Sequence, residues 1–153
     1  MIQLKPVTKE NVGACVRLKV GEDQAKFVAP NLNSIAWAYV APEFTPYAVY
    51  SGDTLVGFLA VEIIPDNEDY DRYWIPRFMI GADFQGQGFG KSGMMAAVEM
   101  LAKNEDCSRV RLSVVEENTA AIEFYKRIGF VLTDEYLEDE RVMDYFLKKE
   151  AHQ

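Results

Sequence analysis

Histidine, cysteine and long apolar runs are all scarce in this chain of 153 residues. The only histidine is His152, next to the last residue, and the two cysteines, Cys15 and Cys107, lie far apart. This scarcity argues against a Ser-His-Asp site, a histidine or thiolate metal centre and a disulfide framework. We therefore predict no metal site, and two dispersed cysteines fit a reducing compartment.

Two further classes of partner are disfavoured. No apolar run reaches the roughly 18–20 residues that cross a bilayer, and the first residues do not form a signal-peptide pattern, so we expect no membrane partner and a cytoplasmic location. The net charge of −8 and pI of about 4.7 disfavour nucleic acid, whose phosphates need Lys and Arg. An acidic surface keeps a protein soluble, and it would also attract a cationic ligand.

The first half of the chain predicts one strand, two helices and a hairpin. "IQLKPV" alternates as a strand does, Thr8 can cap a helix running to about Lys19, and Ser34 can cap a short helix that Pro42 limits. The segment between these helices is expected to be irregular. Two β-rich runs then flank the turn signal Ser51-Gly52-Asp53.

The second half predicts a β-loop-α-β unit followed by a helix and two strands. Pro76 interrupts the strand "RYWIPRFMIGA" and suggests a bulge or an unpaired position, and Gly129 stops the helix "NTAAIEFYKRI". The predicted order is β-α-α-β-β-β-α-β-α-β-β. We expect a single domain over residues 1–153, an α/β fold of the α+β type with a mixed, mostly antiparallel sheet.

The stretch "DFQGQGFGKSG", Asp83 to Gly93, is dense in glycine and has three interpretations. A P-loop requires glycine where Gln85 stands. A dinucleotide fingerprint is matched by Gly88, Gly90 and Gly93, with Glu116 23 residues later, but too little chain follows for repeated βαβ units. The third interpretation is a loop whose backbone amides face a pyrophosphate ahead of a helix N-terminus.

In that third form, Gln85, Gly88 and Gly90 make Q-x-x-G-x-G, which resembles motif A of the GNAT (Gcn5-related) N-acetyltransferases. "NTAAIEFYKRIGF", Asn118 to Phe130, is similar to a second segment of that family, N-x-x-A-x-x-x-Y-x-x-x-G-F. The two segments occur in the family's order, with a helix and a strand between them. The resemblance covers nearly the whole chain and implies acetyl-CoA as the acyl donor.

The resemblance implies a set of donor-binding residues. The strand before the loop would pair through its backbone with the pantetheine arm, the loop amides would hold the pyrophosphate, and the later helix would run along the thiol-bearing arm. These roles fall on Phe78, Met79, Ile80, Gln85, Gly86, Gln87, Gly88, Phe89, Gly90, Lys91, Asn118, Ala121, Phe124 and Tyr125. The side chains of the strand can also pack the core, and Asn118 can also be an ordinary N-cap.

The chemistry implied is direct transfer to an amine. Tyr125, with an ordinary pKa near 10, would protonate the leaving thiolate, and a backbone amide would stabilise the oxyanion. The family often places a Glu on the strand before the loop, but "YWIPRFMI" contains no acid. Glu62, Glu22 and Glu116 are therefore candidates for the base.

The acceptor is predicted from the N-terminal segment, where carboxylates lie near aromatic residues: Glu22, Trp37, Tyr39 and Glu43. Such a mixture suits a polyamine. "DQAKFVAPNLNSIAWAY" with "YWIPRFMI" looks like the bacterial spermine/spermidine (diamine) acetyltransferase branch. Other acceptors, namely an aminoglycoside, an amino acid or a protein N-terminus, stay open, as do a sensor that binds acyl-CoA without turnover and a homodimer.

Overall fold

A computed structural model describes residues 1–148, so His152 lies outside the described residues. Within this part of the chain, seven strands and five helices follow in the order β1 Ile2–Pro6, α1 Val12–Arg17, α2 Glu22–Ala25, α3 Asn31–Val40, β2 Phe44–Ser51, β3 Thr54–Ile63, β4 Tyr73–Ile80, α4 Phe89–Ala102, β5 Arg109–Val114, α5 Thr119–Ile128, β6 Val131–Leu137 and β7 Glu140–Phe146. Single turns of 3-10 helix occupy Asp69–Asp71 and Ala82–Phe84.

The strands lie in the order β1-β2-β3-β4-β5-β7-β6. The pairs β1–β2, β2–β3, β5–β7 and β6–β7 are antiparallel, whereas β4 and β5 are parallel. The predicted fold class, a mixed and mostly antiparallel sheet with helices, is confirmed. The predicted element order is correct except that the irregular N-terminal segment also forms the short helix α2.

The chain divides into two compact units, and β4 and α4 each contribute residues to both. The first unit comprises Met1–Glu62 and Ile75–Ala97. The second comprises Ile63–Trp74 and the chain from Val98 onward. One domain over residues 1–153 stays a prediction.

In the first unit, α1 and α3 pack on the sheet around a core that includes Cys15, Phe58 and Met79. β3 and β4 approach closely at Gly57, where an added Cβ would lie 2.7 Å from the Met79 carbonyl oxygen. A side chain at this position would force the strands apart, so glycine sets their spacing. Asn31, at the start of α3, donates from its amide to the Cys15 carbonyl at 2.9 Å and so ties α3 to α1.

Two predicted helix starts are wrong. Helix α1 begins at Val12 rather than after Thr8, because the Asn11 side chain accepts a hydrogen bond from the Thr8 backbone N–H at 2.8 Å and closes a turn first. Helix α3 begins at Asn31, directly after Pro30. Proline has no backbone N–H and so cannot donate a hydrogen bond to a preceding helical turn. Ser34 therefore lies inside α3, where it is buried, and does not cap it.

In the second unit, α5 accompanies the antiparallel strands β5, β7 and β6. The end of α5 is as predicted, because Gly129 adopts φ 129° and its N–H donates to the Tyr125 carbonyl at 3.1 Å. Trp74 on β4 pairs with Arg111 on β5, and Pro76 follows two residues later with no N–H to donate. No helix among residues 1–148 is long and apolar enough to cross a membrane.

Candidate active site

The glycine-rich loop joins β4 to α4 in the first unit. Gly86 and Gly88 have φ of 79° and 84°, a region that residues with a side chain rarely adopt. A Cβ added at either glycine would meet no protein atom within 4 Å, so the space beside both is open. The Gln85 side chain donates to the Ile80 carbonyl at 3.1 Å, which fastens the loop to the end of β4.

The loop leads directly into the N-terminus of α4. The helix begins at Phe89, and the Ser92 N–H donates to the Gly88 carbonyl at 3.2 Å. Positive-φ glycines ahead of a helix turn backbone N–H groups outward, and the helix dipole adds positive potential. This geometry fits the pyrophosphate of an acyl-CoA. Among residues 1–148, no group of three or more His, Cys, Asp or Glu side chains is arranged to hold a metal ion.

On β4, the strand before the loop, most of the side chains predicted to lie at the donor site are buried in the first unit. Met79 and Ile80 are buried and Phe78 is half-buried. Gly93 on α4 lies against the Phe78 ring, because a Cβ there would be 3.5 Å from it. Core packing is confirmed for Met79 and Ile80, and the backbone pairing of this strand with a pantetheine arm stays a prediction.

In the second unit, Asn118 caps α5. Its side chain accepts a hydrogen bond from the Ala121 N–H at 3.3 Å, and it is buried. Ala121, Phe124 and Tyr125 are all half-buried on the helix that this cap begins. The N-cap role of Asn118 is thus confirmed, and a contact with the acyl donor stays a prediction.

The Tyr125 side chain lies among aromatic rings. Its ring centroid is 5.4 Å from that of Phe124 and 5.8 Å from that of Phe130, both edge to face. Burial raises the pKa of Tyr125 to about 12, with no neighbouring charge contributing. The hydroxyl therefore stays protonated at neutral pH, which a proton or hydrogen-bond donor requires.

The acceptor candidates that the structure brings together are Glu43 and Glu62. Glu62 lies near the end of β3 opposite Phe44, the first residue of β2, and Glu43 immediately precedes Phe44. Burial raises the pKa of Glu62, the Glu43 carboxylate raises it further, and Arg77 on β4 opposes both. A carboxylate with a raised pKa is a better proton acceptor than an ordinary surface Glu.

The other acceptor candidates are more dispersed. Glu22 is exposed at the start of α2. Trp37 and Tyr39 are 56% and 92% exposed on α3, so neither packs the core. Because they are two residues apart on a helix, their side chains leave α3 about 160° apart, and a narrow amine would contact one of them.

The third candidate base, Glu116, follows β5 in the second unit. Its carboxylate oxygen Oε2 forms a surface ion pair with the Arg141 guanidinium nitrogen Nη1 at 3.2 Å. This partner gives Glu116 a structural role that the sequence did not reveal.

A buried ion network in the second unit was missed by the sequence analysis. The Arg111 side chain, 3% exposed, pairs with Asp144 at 2.8 Å, with Asp71 at 2.8 Å and with Glu135, and it lies 5.2 Å from the centre of the Trp74 ring. Burial alone would lower the Arg111 pKa, but these carboxylates outweigh it and hold the pKa above its usual value. An arginine alternating with apolar residues in "RVRLSVV", and an aspartate in "RVMDYF", were the available signals.

Solved structures show which class of protein this fold defines. Aminoglycoside acetyltransferase AAC(6')-Ib in complex with coenzyme A matches with a TM-score of 0.78 over 95% of each chain at 15% identity. Spermidine N-acetyltransferase from Vibrio cholerae in complex with CoA and spermine matches with a TM-score of 0.71 over 94% of this chain and 92% of that one, at 16% identity. The fold is that of the CoA-dependent acetyltransferases.

The sequence identifies the family. Residues 14–130 match the acetyltransferase (GNAT) family, and the chain belongs to that family. The spermine/spermidine N(1)-acetyltransferase of Bacillus subtilis (strain 168) is 32% identical over 137 residues, which cover 88% of this chain and 90% of the relative. The chain is therefore an N-acetyltransferase that uses acetyl-CoA, and the P-loop and dinucleotide interpretations of the glycine loop are wrong.

Proposed function

We propose that this enzyme transfers the acetyl group of acetyl-CoA to a primary amine of a polyamine such as spermine or spermidine, by direct attack without a covalent enzyme intermediate. The observation that carries the acceptor class is the carboxylate pair Glu43 and Glu62, which lies in the same unit as the glycine loop. The Bacillus relative, named for the same acceptors, supports the choice.

The donor is assigned to the backbone of the loop. The amides from Gln85 to Lys91 would hold the pyrophosphate, because Gly86 and Gly88 adopt the positive φ that turns N–H groups toward one anion. The backbone of Phe78 to Ile80 would pair with the pantetheine arm. Asn118, Ala121 and Phe124 would line the arm from α5.

The acceptor amine is proposed to bind through the charges of Glu43 and Glu62 and against the ring of Trp37. A polyamine carries two or more ammonium groups, so one amine can react while another pairs with a carboxylate of the Glu43 and Glu62 pair. Trp37 suits the methylene chain better than Tyr39, since Trp37 is only about half-exposed and part of its ring rests on the protein. Glu22, exposed at α2, would attract the outer end of a long polyamine.

The proposed proton balance uses Glu62 as the base and Tyr125 as the acid. Glu62 takes the proton that the substrate ammonium must lose, through water where needed, and the neutral nitrogen forms the new C–N bond as the C–S bond breaks. Tyr125 donates to the sulfur as its negative charge develops. Since a phenol with a pKa of about 12 is a weaker acid than a thiol near 8.5, this donation is concerted with bond breaking. The nitrogen loses its second proton as the amide forms, and this proton restores the phenol, while Glu62 returns the first proton to solvent.

The experiment is free-thiol release from acetyl-CoA with spermine, spermidine and a monoamine of similar length. Turnover with both polyamines and little with the monoamine is expected. In the same assay, Tyr125→Phe should lower kcat by about 100-fold or more. Tyr145→Phe is the matched control, because Tyr145 lies in the same aromatic cluster, 5.4 Å from the Phe130 centroid, and has no proposed chemistry.

Other outcomes would change the conclusion. Turnover that prefers the monoamine would remove the polyamine assignment and leave the transferase. An enzyme that binds CoA, as judged by a raised melting temperature, yet releases no thiol with any amine would support the acyl-CoA sensor instead. Equal losses in the two tyrosine variants would mean that Tyr125 acts through packing alone.

A further inference from the structure

Arg77 is the only charged residue in the sequence of β4, and it is exposed. The next residue, Phe78, faces α4, because its ring lies 3.5 Å from a Cβ added at Gly93. Successive side chains of a strand point to opposite faces, so Arg77 points away from α4. It shares a face with Met79, whose sulfur accepts a hydrogen bond from the Asn31 amide of α3 at 3.8 Å.

Glu62 lies on the same face of the neighbouring strand, β3. Phe58 on β3 packs in one core cluster with Met79, so these two side chains share a face. Glu62 is four residues after Phe58, and the alternation of a strand returns it to that face. Arg77 and Glu62 therefore stand on one surface of the sheet, the surface on which α1 and α3 pack.

The register of β3 and β4 brings the two charged side chains close. The Val56 carbonyl accepts a hydrogen bond from the Gly81 N–H at 2.8 Å, and Gly57, the next residue on β3, lies against the Met79 carbonyl. The two strands are therefore antiparallel. Counting along both strands from these contacts puts the two charged residues on diagonal positions, whose Cβ atoms are about 7–8 Å apart.

Arg77 is close to carboxylates and yet forms an ion pair with none of them. Burial and the Glu43 carboxylate raise the pKa of Glu62, and Arg77 lowers it, so the three charges interact. Among residues 1–148, however, the ion pairs do not include Arg77, whose Nη1 donates to the Pro76 carbonyl at 2.8 Å. A guanidinium has several further N–H donors, and these remain available to an anion.

The three charges follow one order across three neighbouring strands. Arg77 is on β4, Glu62 is on β3, and Glu43 immediately precedes Phe44, the residue of β2 that pairs with Glu62. Two strand spacings, roughly 10 Å, separate the outer two. Because the order is cation, anion, anion, a matching ligand carries an anion followed by two cations.

A basic amino acid has its charges in this matching order, namely an α-carboxylate, an α-ammonium group and a side-chain ammonium group. Each of them then meets an opposite charge of the protein. A plain polyamine offers nothing to Arg77 and places its ammonium groups beside a guanidinium of like charge. The flexible four-carbon stem of lysine can span the distance from Glu62 to Glu43.

We propose that Arg77 forms an anion subsite beside Glu43 and Glu62, and that this enzyme acetylates basic amino acids on the α-nitrogen as well as polyamines. This inference rests on the proposed function, because it uses the same two carboxylates. The α-nitrogen loses a proton to Glu62 and forms the new C–N bond as the C–S bond of acetyl-CoA breaks. The remaining proton steps are those proposed for a polyamine, and the products are CoA and an Nα-acetyl amino acid.

The test measures free-thiol release from acetyl-CoA with L-lysine, cadaverine and L-norleucine. Cadaverine is lysine without the carboxylate, and norleucine is lysine without the side-chain amine. The wild type should acetylate lysine on its α-nitrogen, as mass spectrometry of the product will show, with a lower KM than for norleucine. Arg77→Gln should raise KM for lysine by roughly ten- to hundredfold, the effect of a lost charged hydrogen bond, and should not raise KM for cadaverine.

Two further variants separate charge from general damage. Arg77→Lys keeps the charge without the forked geometry, so its KM for lysine should lie between those of the wild type and Arg77→Gln. Arg127→Gln is the matched control, because Arg127 is an exposed arginine in the last turn of α5 and loses the same charge. It should change neither KM.

The inference is overturned if the wild type releases thiol with cadaverine but not with lysine, or if lysine is acetylated on its side-chain nitrogen. It is also overturned if Arg77→Gln changes both KM values alike, or if Arg127→Gln reproduces its effect. Release with lysine but with neither cadaverine nor spermidine would support the Arg77 subsite and remove the polyamine assignment. Release with none of these amines would remove both.

Discussion

Replacing Gly88 with alanine separates the backbone strain of the loop from its role in binding acetyl-CoA. Gly88 has φ 84° and an added Cβ would meet no protein atom within 4 Å. Gly52, in the hairpin turn between β2 and β3, has φ 60° and is equally open. Gly88→Ala and Gly52→Ala therefore impose the same kind of strain, and only the first adds a methyl group to the proposed anion site.

The expected magnitudes follow from this geometry. An alanine in the left-handed region costs about 1–2 kcal/mol, with no steric clash to add here. For a chain of this size that lowers the melting temperature by roughly 2–8 °C in either variant. At Gly88 the methyl group would also displace one charge-assisted hydrogen bond to phosphate, about 1.5–3 kcal/mol, or roughly a ten- to hundredfold weaker affinity for CoA.

The assay is isothermal titration of CoA into each variant, with thermal unfolding of each variant without ligand beside it. We expect similar melting temperatures for the two variants, wild-type affinity in Gly52→Ala and weakened affinity in Gly88→Ala. Wild-type affinity in Gly88→Ala would refute the assignment of the loop amides to the pyrophosphate. Equal weakening in both variants would show that general instability, and not the site, controls affinity.

Three further predictions concern charge and ionisation. If Glu62 is the base, its pKa sets the acidic limb of the kcat/KM–pH profile. Glu43 raises this pKa and Arg77 lowers it, so Glu43→Gln should shift the limb to lower pH and Arg77→Gln should shift it to higher pH. A limb that stays fixed in both variants would exclude Glu62. Asp144→Asn should lower the free energy of unfolding by about 3–5 kcal/mol in denaturant melts, because the buried Arg111 loses a negatively charged partner. Glu123→Gln removes the exposed pair with Lys126 and should have no measurable effect. Equal effects of the two substitutions would contradict this prediction. In an alkaline titration of phenolate absorbance, Tyr73 and Tyr125 should ionise near pH 12, later than an ordinary tyrosine near 10. The stability that these two residues contribute should be complete below about pH 10 and lost as the pH rises toward 12. A Tyr125→Phe chain that keeps the same late step would contradict the Tyr125 assignment.

Features that depend on a few adjacent residues were predictable from the sequence. Asn118 and Gly129 bound α5 because capping and positive φ are local properties, and both are found where the sequence placed them. Gly86 and Gly88 likewise indicate a backbone with positive φ, because glycine is the residue type that adopts it readily. The hairpin about Gly52 follows for the same reason.

Features that depend on distant residues were not predictable in this way. Arg111 and Asp144 meet because β5 pairs with β7 in a register that places them opposite each other, 33 residues apart in sequence. Ser34 was predicted to be a cap from its residue type, but packing buries it within α3. A local pattern cannot show either outcome, since each is decided by tertiary contacts.

The same distinction explains how acceptor specificity can change while donor binding is retained. The loop is proposed to hold the donor through backbone groups, whose positions are set by Gly86 and Gly88 and by the Gln85 hydrogen bond to Ile80. The proposed acceptor site instead depends on charged side chains, Glu43 and Glu62, that the β2–β3 register brings together. Exchanging either carboxylate for an amide changes the charge that selects an ammonium group and leaves every loop hydrogen bond in place. Glu43→Gln should therefore raise KM for a polyamine and leave the affinity for CoA unchanged, and a variant that lost both would place the two carboxylates in the donor site instead.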